Sequence, residues 1–105
     1  MNANIQVFRT DYSNFTINIP LSDLNTVVDR LISLISTKRD DLGLFKLINV
    51  WNDEQDNYIL WSINSTGTES ITVSNLRHLQ HSRESTIIDR LRQYAKINNI
   101  FYRVE

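Results

Sequence analysis

From Asn14 to Ile19 the chain alternates strictly, with Phe15, Ile17 and Ile19 on one side and Asn14, Thr16 and Asn18 on the other. Period-two alternation marks a strand with one buried and one wet face. Upstream, Ile5, Val7 and Phe8 give a shorter strand pattern over roughly residues 4–9. Thr10-Asp11-Tyr12-Ser13 lies between them and reads as a turn, so the two segments predict an N-terminal β-hairpin.

Pro20 stops the second strand, because it has no N–H to give a ladder. Beyond it the period changes. Leu24, Val27, Val28, Leu31, Leu34 and Ile35 recur at three- and four-residue spacing. With Ser22 or Asp23 as N-cap, this predicts an amphipathic helix over about residues 22–37. Lys38 and Arg39 then suit the negative end of its dipole, and Gly43 marks the exit turn. The carboxylates of Asp40 and Asp41 are expected in solvent there.

Leu44 to Trp51 is apolar at both phases apart from Lys46 and Asn49, which predicts a strand in the middle of a sheet. Residues 52–57 form a polar hairpin loop, Tyr58 to Ile63 the next strand, residues 64–69 a turn with Gly67, and Ser70 to Ser74 a shorter strand. Leu76 and Leu79 fit a short helical turn. Ile87, Ile88, Leu91, Tyr94 and Ala95 share one face of a second helix at about residues 83–98, and Ile100 to Val104 reads as a last strand. The predicted order is ββ-α-βββ-α-β. Two helices that each need a sheet face to cover point to an α+β two-layer sandwich, mostly antiparallel.

Length and composition fit one compact domain over residues 1–105, with 41% hydrophobic and 22% charged residues. The absence of Cys removes disulfides, thiolate metal sites and a Cys nucleophile, and makes the cytoplasm the expected compartment. Met1-Asn2-Ala3-Asn4 lacks the features of a signal peptide. No apolar run approaches the ~20 residues of a membrane span. The N-x-S/T triplets at Asn14 and Asn64 read as chance among twelve Asn.

Charge is unevenly divided. Residues 1–75 hold five basic and nine acidic side chains, a balance of −4. Residues 76–105 hold six and three, a balance of +3, within a net −1. The basic third suggests a face for an anionic partner, through Arg77, His78, His81, Arg83, Arg90, Arg92 and Lys96. Arg83 and Arg90 share one face of the second helix, Arg92 and Lys96 another, all away from the apolar stripe. The competing reading is a solvated helix face with local pairs such as Asp89 to Arg92.

His78-x-x-His81-x-x-Glu84 has helical spacing for two imidazoles and a carboxylate. No fourth ligand is indicated, so surface side chains are the expectation and no metal or cofactor is assigned. A second contact surface is expected where Asp53, Glu54 and Asp56 stand between Trp51 and Tyr58, since carboxylates beside aromatics can receive a basic partner. That loop lacks the spacing of a calcium site.

An α-βββ-α run also occurs in double-stranded RNA-binding domains, with which the likeness is topological. Their second helix starts Lys-rich, whereas here it starts Ser82-Arg83-Glu84-Ser85. None of the common nucleophile, metalloprotease, P-loop or dinucleotide motifs is present, which recommends no enzyme. The sequence therefore predicts a small binding or regulatory module working by protein–protein contact: an adaptor, inhibitor or antitoxin-like partner. Nucleic-acid binding through the basic C-terminal helix is the alternative. A free sheet edge would also make a homodimer natural.

Overall fold

The computed structural model describes residues 2–20, 22, 24–52, 57–74 and 82–105; for Leu24, Asn57, Tyr58 and residues 82–87 it describes the backbone alone. The elements run β1 (Asn2–Arg9), β2 (Asn14–Pro20), α1 (Leu24–Thr37), β3 (Arg39–Asp40), β4 (Gly43–Asn52), β5 (Asn57–Ile63), β6 (Glu69–Val73), α2 (Ser82–Ile97) and β7 (Phe101–Val104). The main sheet has the order β2-β1-β4-β5-β6-β7, and β3 pairs with β4 beside it. The expected α+β two-layer arrangement is present, and β4 lies inside the sheet as its two-sided apolar pattern requires. The short β3 is an addition to the predicted order. It forms a tight hairpin with Gly43 and Leu44.

All neighbouring pairs are antiparallel except β6 with β7, which are parallel. Strand directions explain where the helices lie. β2 and β4 both run antiparallel to β1, so α1 carries the chain across β1 between two strands of like direction. α2 does the same from β6 to β7. Both crossovers start from strands of one direction and move the same way along the sheet. The right-handed preference of such connections then puts both helices on one face.

The core matches that geometry. Ile5, Val7, Ile48, Val50, Ile59, Trp61, Ile71 and Val73 share the face under the helices and are buried. They meet Val27, Val28, Leu31 and Ile35 of α1 and Leu91 and Ala95 of α2 in one cluster. Each fully buried aliphatic side chain contributes about 1.5–3 kcal/mol by leaving water. A hydrogen bond of 2.8 Å between Ser36 Oγ and the Tyr94 hydroxyl ties the helices together where the apolar stripes end.

α1 ends at Thr37, where the sequence pattern ends it, and Lys38 and Arg39 follow directly. Lys38 adopts a left-handed conformation (φ 58°), and its N–H donates to Leu34 O at 2.9 Å. Arg39 already belongs to β3. Lys38 therefore closes the helix and Arg39 starts a strand.

Candidate functional site

The strand register places a second set of residues on the face turned away from the helices. On β1 these are Asn4, Gln6 and Phe8; on β4, Leu47, Asn49 and Trp51. Leu60 and Ser62 of β5, Ser70 and Thr72 of β6, and Phe101 and Arg103 of β7 continue the rows. β2 adds Asn14, Thr16 and Asn18, the wet side of the alternation seen in the sequence. No described helix lies on this face. Phe8, Leu47, Trp51 and Leu60 are half-buried there, and Phe101 at the edge is 66% exposed.

The chemistry of this face is nearly neutral. Among these paired positions Arg103 is the one charged side chain, and it is bonded to Glu105 at 2.7 Å. Amides and hydroxyls supply the rest. Asn18 donates from its side-chain nitrogen to Asn4 Oδ1, and Ser62 and Ser70 lie 3.1 Å apart across β5 and β6. Asn49 Oδ1 is buried in the middle of the rows and makes no hydrogen bond among the described residues.

The basic residues expected on α2 are used differently from one another. Arg90 is half-buried and reaches across to α1, donating to Asp29 Oδ1 at 2.5 Å and to Asn25 Oδ1 at 3.3 Å. It is not a free solvent cation. Arg92 is exposed and lies 3.4 Å from Asp89, the local pair that the sequence suggested. Lys96 is exposed in the last turn. Arg77, His78 and His81 lie outside the described residues, as do Asp53, Glu54 and Asp56. Arg83, Glu84 and Tyr58 are placed by backbone on α2 and β5. Of the two expected surfaces, the structure therefore fixes Trp51 on the bare sheet face and Arg90, Arg92 and Lys96 on α2. Among the described residues no cluster of His, Asp or Glu could hold a metal ion.

One buried charged group was not anticipated. Arg9 ends β1 and is 5% exposed. Its Nε donates to Asp40 Oδ1 at 2.9 Å and its Nη2 to Asp40 Oδ2 at 2.5 Å, while Nη1 donates to Ser13 Oγ at 3.0 Å. The guanidinium also lies 5.0 Å from the centre of the Phe15 ring. Its hydrogen bond to Asp40 raises the Arg9 pKa against the opposing effect of burial. The same bond lowers the Asp40 carboxyl to about 2, helped by the N–H groups of Leu42 and Gly43. Every polar atom of the pair thus has a structural partner, and Ser13 Oγ in turn donates to Asp11 Oδ1 at 2.6 Å, which brings a second carboxylate near the guanidinium. The role of the pair is to lock the β1–β2 and β3–β4 turns together.

No family model, curated protein or solved structure matches the chain. Among the described residues no helix is long and apolar enough to cross a membrane. The bare face was legible in part: Phe8, Leu47, Trp51 and Leu60 are apolar at the phase opposite to the core. That signal passed as ordinary central-strand composition, because periodicity alone does not say whether a second layer covers both faces.

Proposed function

We propose that the protein is a small non-enzymatic binding module whose partner is another protein, seated on the sheet face that carries Phe8, Leu47, Trp51 and Leu60. The observation that supports this most is the composition of that face: aromatic and aliphatic side chains flanked by amides and hydroxyls, with Arg103 its one charge among the paired positions. Protein interfaces are enriched in aromatics and poor in charge at their centre. Phosphate-binding surfaces need the reverse, since cations supply most of their affinity.

The same arrangement weighs against α2 as a nucleic-acid reader. Arg90 has Asp29 and Asn25 as neighbours and Arg92 has Asp89, so carboxylates partly offset both cations. With a net charge of −1, little long-range attraction for a polyanion remains. An adaptor, inhibitor or antitoxin-like role fits a surface of this kind, and a second copy of the chain is one partner it would accept.

The test compares Leu60→Lys, on the sheet face, with Lys96→Glu, on α2. Sedimentation of the purified protein reads self-association, and crosslinked capture from the native cell reads a stoichiometric partner. Leu60→Lys is expected to abolish the complex and Lys96→Glu to leave it intact. A nucleic-acid mobility shift by the native protein that Lys96→Glu removes and Leu60→Lys spares would overturn the reading.

A further inference from the structure

Lys38 just after α1, the start of β4 with its bulge, and the end of β5 with the β5–β6 turn line a pocket of about 430 Å³. That is within the range of small-molecule sites. Leu44, Phe45 and Ile63 make apolar walls, Ser65 adds a hydroxyl, and Lys38 and Lys46 are the two basic residues of the lining. No carboxylate is among the lining residues.

Lys38 and the residue that contacts Lys46 both adopt left-handed backbone. Lys38 occupies the left-handed position after α1, where glycine is the usual residue. Its backbone is fixed there by bonds from its N–H to Leu34 O and from Phe45 N–H to its own carbonyl, at 2.9 and 2.8 Å. Lys46 lies with Nζ 4.5 Å from the centre of the Tyr12 ring and 3.3 Å from its hydroxyl. Tyr12 is itself left-handed (φ 69°). Among the described residues, two of the three non-glycine residues with positive φ are thus Lys38 and the contact partner of Lys46. Strained backbone of this sort persists at sites where placement of a side chain matters.

Charge narrows the ligand. Lys38 Nζ lies 3.6 Å from Glu69 Oε2, so this carboxylate offsets one of the two cations. Among the described residues no carboxylate pairs with Lys46. The pocket therefore offers about one net positive charge above apolar walls. We propose that it binds a small monocarboxylate with an apolar body, its walls taking the body and Lys46 and Lys38 the carboxylate. This site is separate from the bare sheet face.

Titration of the isotope-labelled protein with octanoate, followed by amide chemical shifts, tests the proposal. Saturable shifts are expected at Leu44, Phe45, Ile63 and Ser65 and not at Leu47 or Leu60. Octanol is expected to bind about tenfold more weakly, the loss of one charge-assisted contact. Lys46→Met and Lys38→Gly should each weaken octanoate by a similar factor. Lys38→Gly removes a cation, and its contact to Glu69, while relieving left-handed backbone; native amide shifts away from the pocket in this variant separate lost binding from lost folding. Equal affinity for octanol, absence of saturable shifts at millimolar octanoate, or shifts confined to the sheet face would each overturn the proposal. Tighter binding of octyl phosphate than octanoate would overturn the choice of a monoanion.

Discussion

Arg9 and Asp40 are 31 positions apart in sequence, and their side chains meet in a bidentate pair that is nearly closed to solvent at Arg9. The pair joins the end of β1 to the β3–β4 hairpin, and Asp40 Oδ1 also accepts the N–H groups of Leu42 and Gly43 at 3.0 and 3.2 Å. One carboxylate thus shapes the turn and neutralises the guanidinium. A buried ion pair adds little over a well-packed apolar pair, but removing one partner leaves a charge stranded in the interior. Asp40→Asn and Arg9→Met should therefore differ. The first strands a guanidinium and should destabilise the more; the second leaves Asp40 half-exposed, with its turn bonds intact. Urea denaturation of the two variants at neutral pH measures the difference.

The same pair makes stability depend on acid. Asp40 is held at about 2 against an ordinary 3.8, chiefly by its hydrogen bond from Arg9. On acidification the unfolded chain takes up this proton before the folded one does. The contribution is therefore complete above about pH 4 and disappears as the pH falls toward 2. Asp40→Asn should flatten the stability profile of the native protein across that window. Denaturant midpoints measured at intervals between pH 5 and pH 2 provide the check. Identical slopes for the two proteins would count against the pair.

Trp61 is fully buried at the centre of the sheet, and its Nε1 donates to Glu69 Oε1 at 3.1 Å. Two replacements separate its packing from its polar bond. Trp61→Ala should cost about 3–5 kcal/mol, the range for deleting a buried aromatic side chain. Trp61→Phe keeps much of the volume but leaves a mostly buried carboxylate oxygen without its donor, which costs about 1–3 kcal/mol. Trp51 remains in both variants to report unfolding by fluorescence. An alanine variant no less stable than the phenylalanine one would contradict the packing described here.

Tyr102 lies opposite Ile71 on the covered side of β7. Its hydroxyl is buried near the Arg92 side chain and makes no well-formed hydrogen bond among the described residues. Burial raises its pKa, with the nearby positive charge of Arg92 opposing the rise. Tyr102→Phe deletes an unpaired polar atom without removing the ring, so it should leave stability unchanged or raise it by up to about 1 kcal/mol. It should also remove part of the stability loss expected above pH 10. There the unfolded chain releases the tyrosine proton before the folded one does, so stability falls as the pH rises. Thermal melts at pH 7 and pH 11 test both halves.

The elements that could be read from the chain are those whose signal is local. The strict alternation through Ile17 marks β2, the spacing of Val27, Leu31 and Ile35 marks α1, and the doubly apolar run through Ile48 marks an internal strand. Ion pairing was not legible in the same way. Asp40 sits in a polar stretch that resembles any helix exit, and only the folded chain brings it to Arg9. Arg90 looked like a solvent cation because its own helix holds no acid three or four residues from it; its partner, Asp29, is on the other helix. The charge split between the first 75 residues and the last 30 carries the same lesson. Part of it reflects two helices that exchange a salt bridge.

That interhelical bridge should nevertheless contribute little. Arg90 Nη2 and Asp29 Oδ1 lie 2.5 Å apart, but their side chains are 35% and 64% exposed. Water and salt screen such a pair, and ordering two long side chains opposes it, which leaves about 0.2–1 kcal/mol. A double-mutant cycle with Arg90→Ala and Asp29→Ala should return a coupling in that range, falling further in about 1 M salt. The helices stay docked in both single variants, since Val28, Leu31, Leu91 and Ala95 hold them to the sheet. A coupling well above that range, persisting in high salt, would show the bridge to be buried in a way its exposure denies. Arg90 would then be unavailable to any partner, and the case against a nucleic-acid face on α2 would be stronger still.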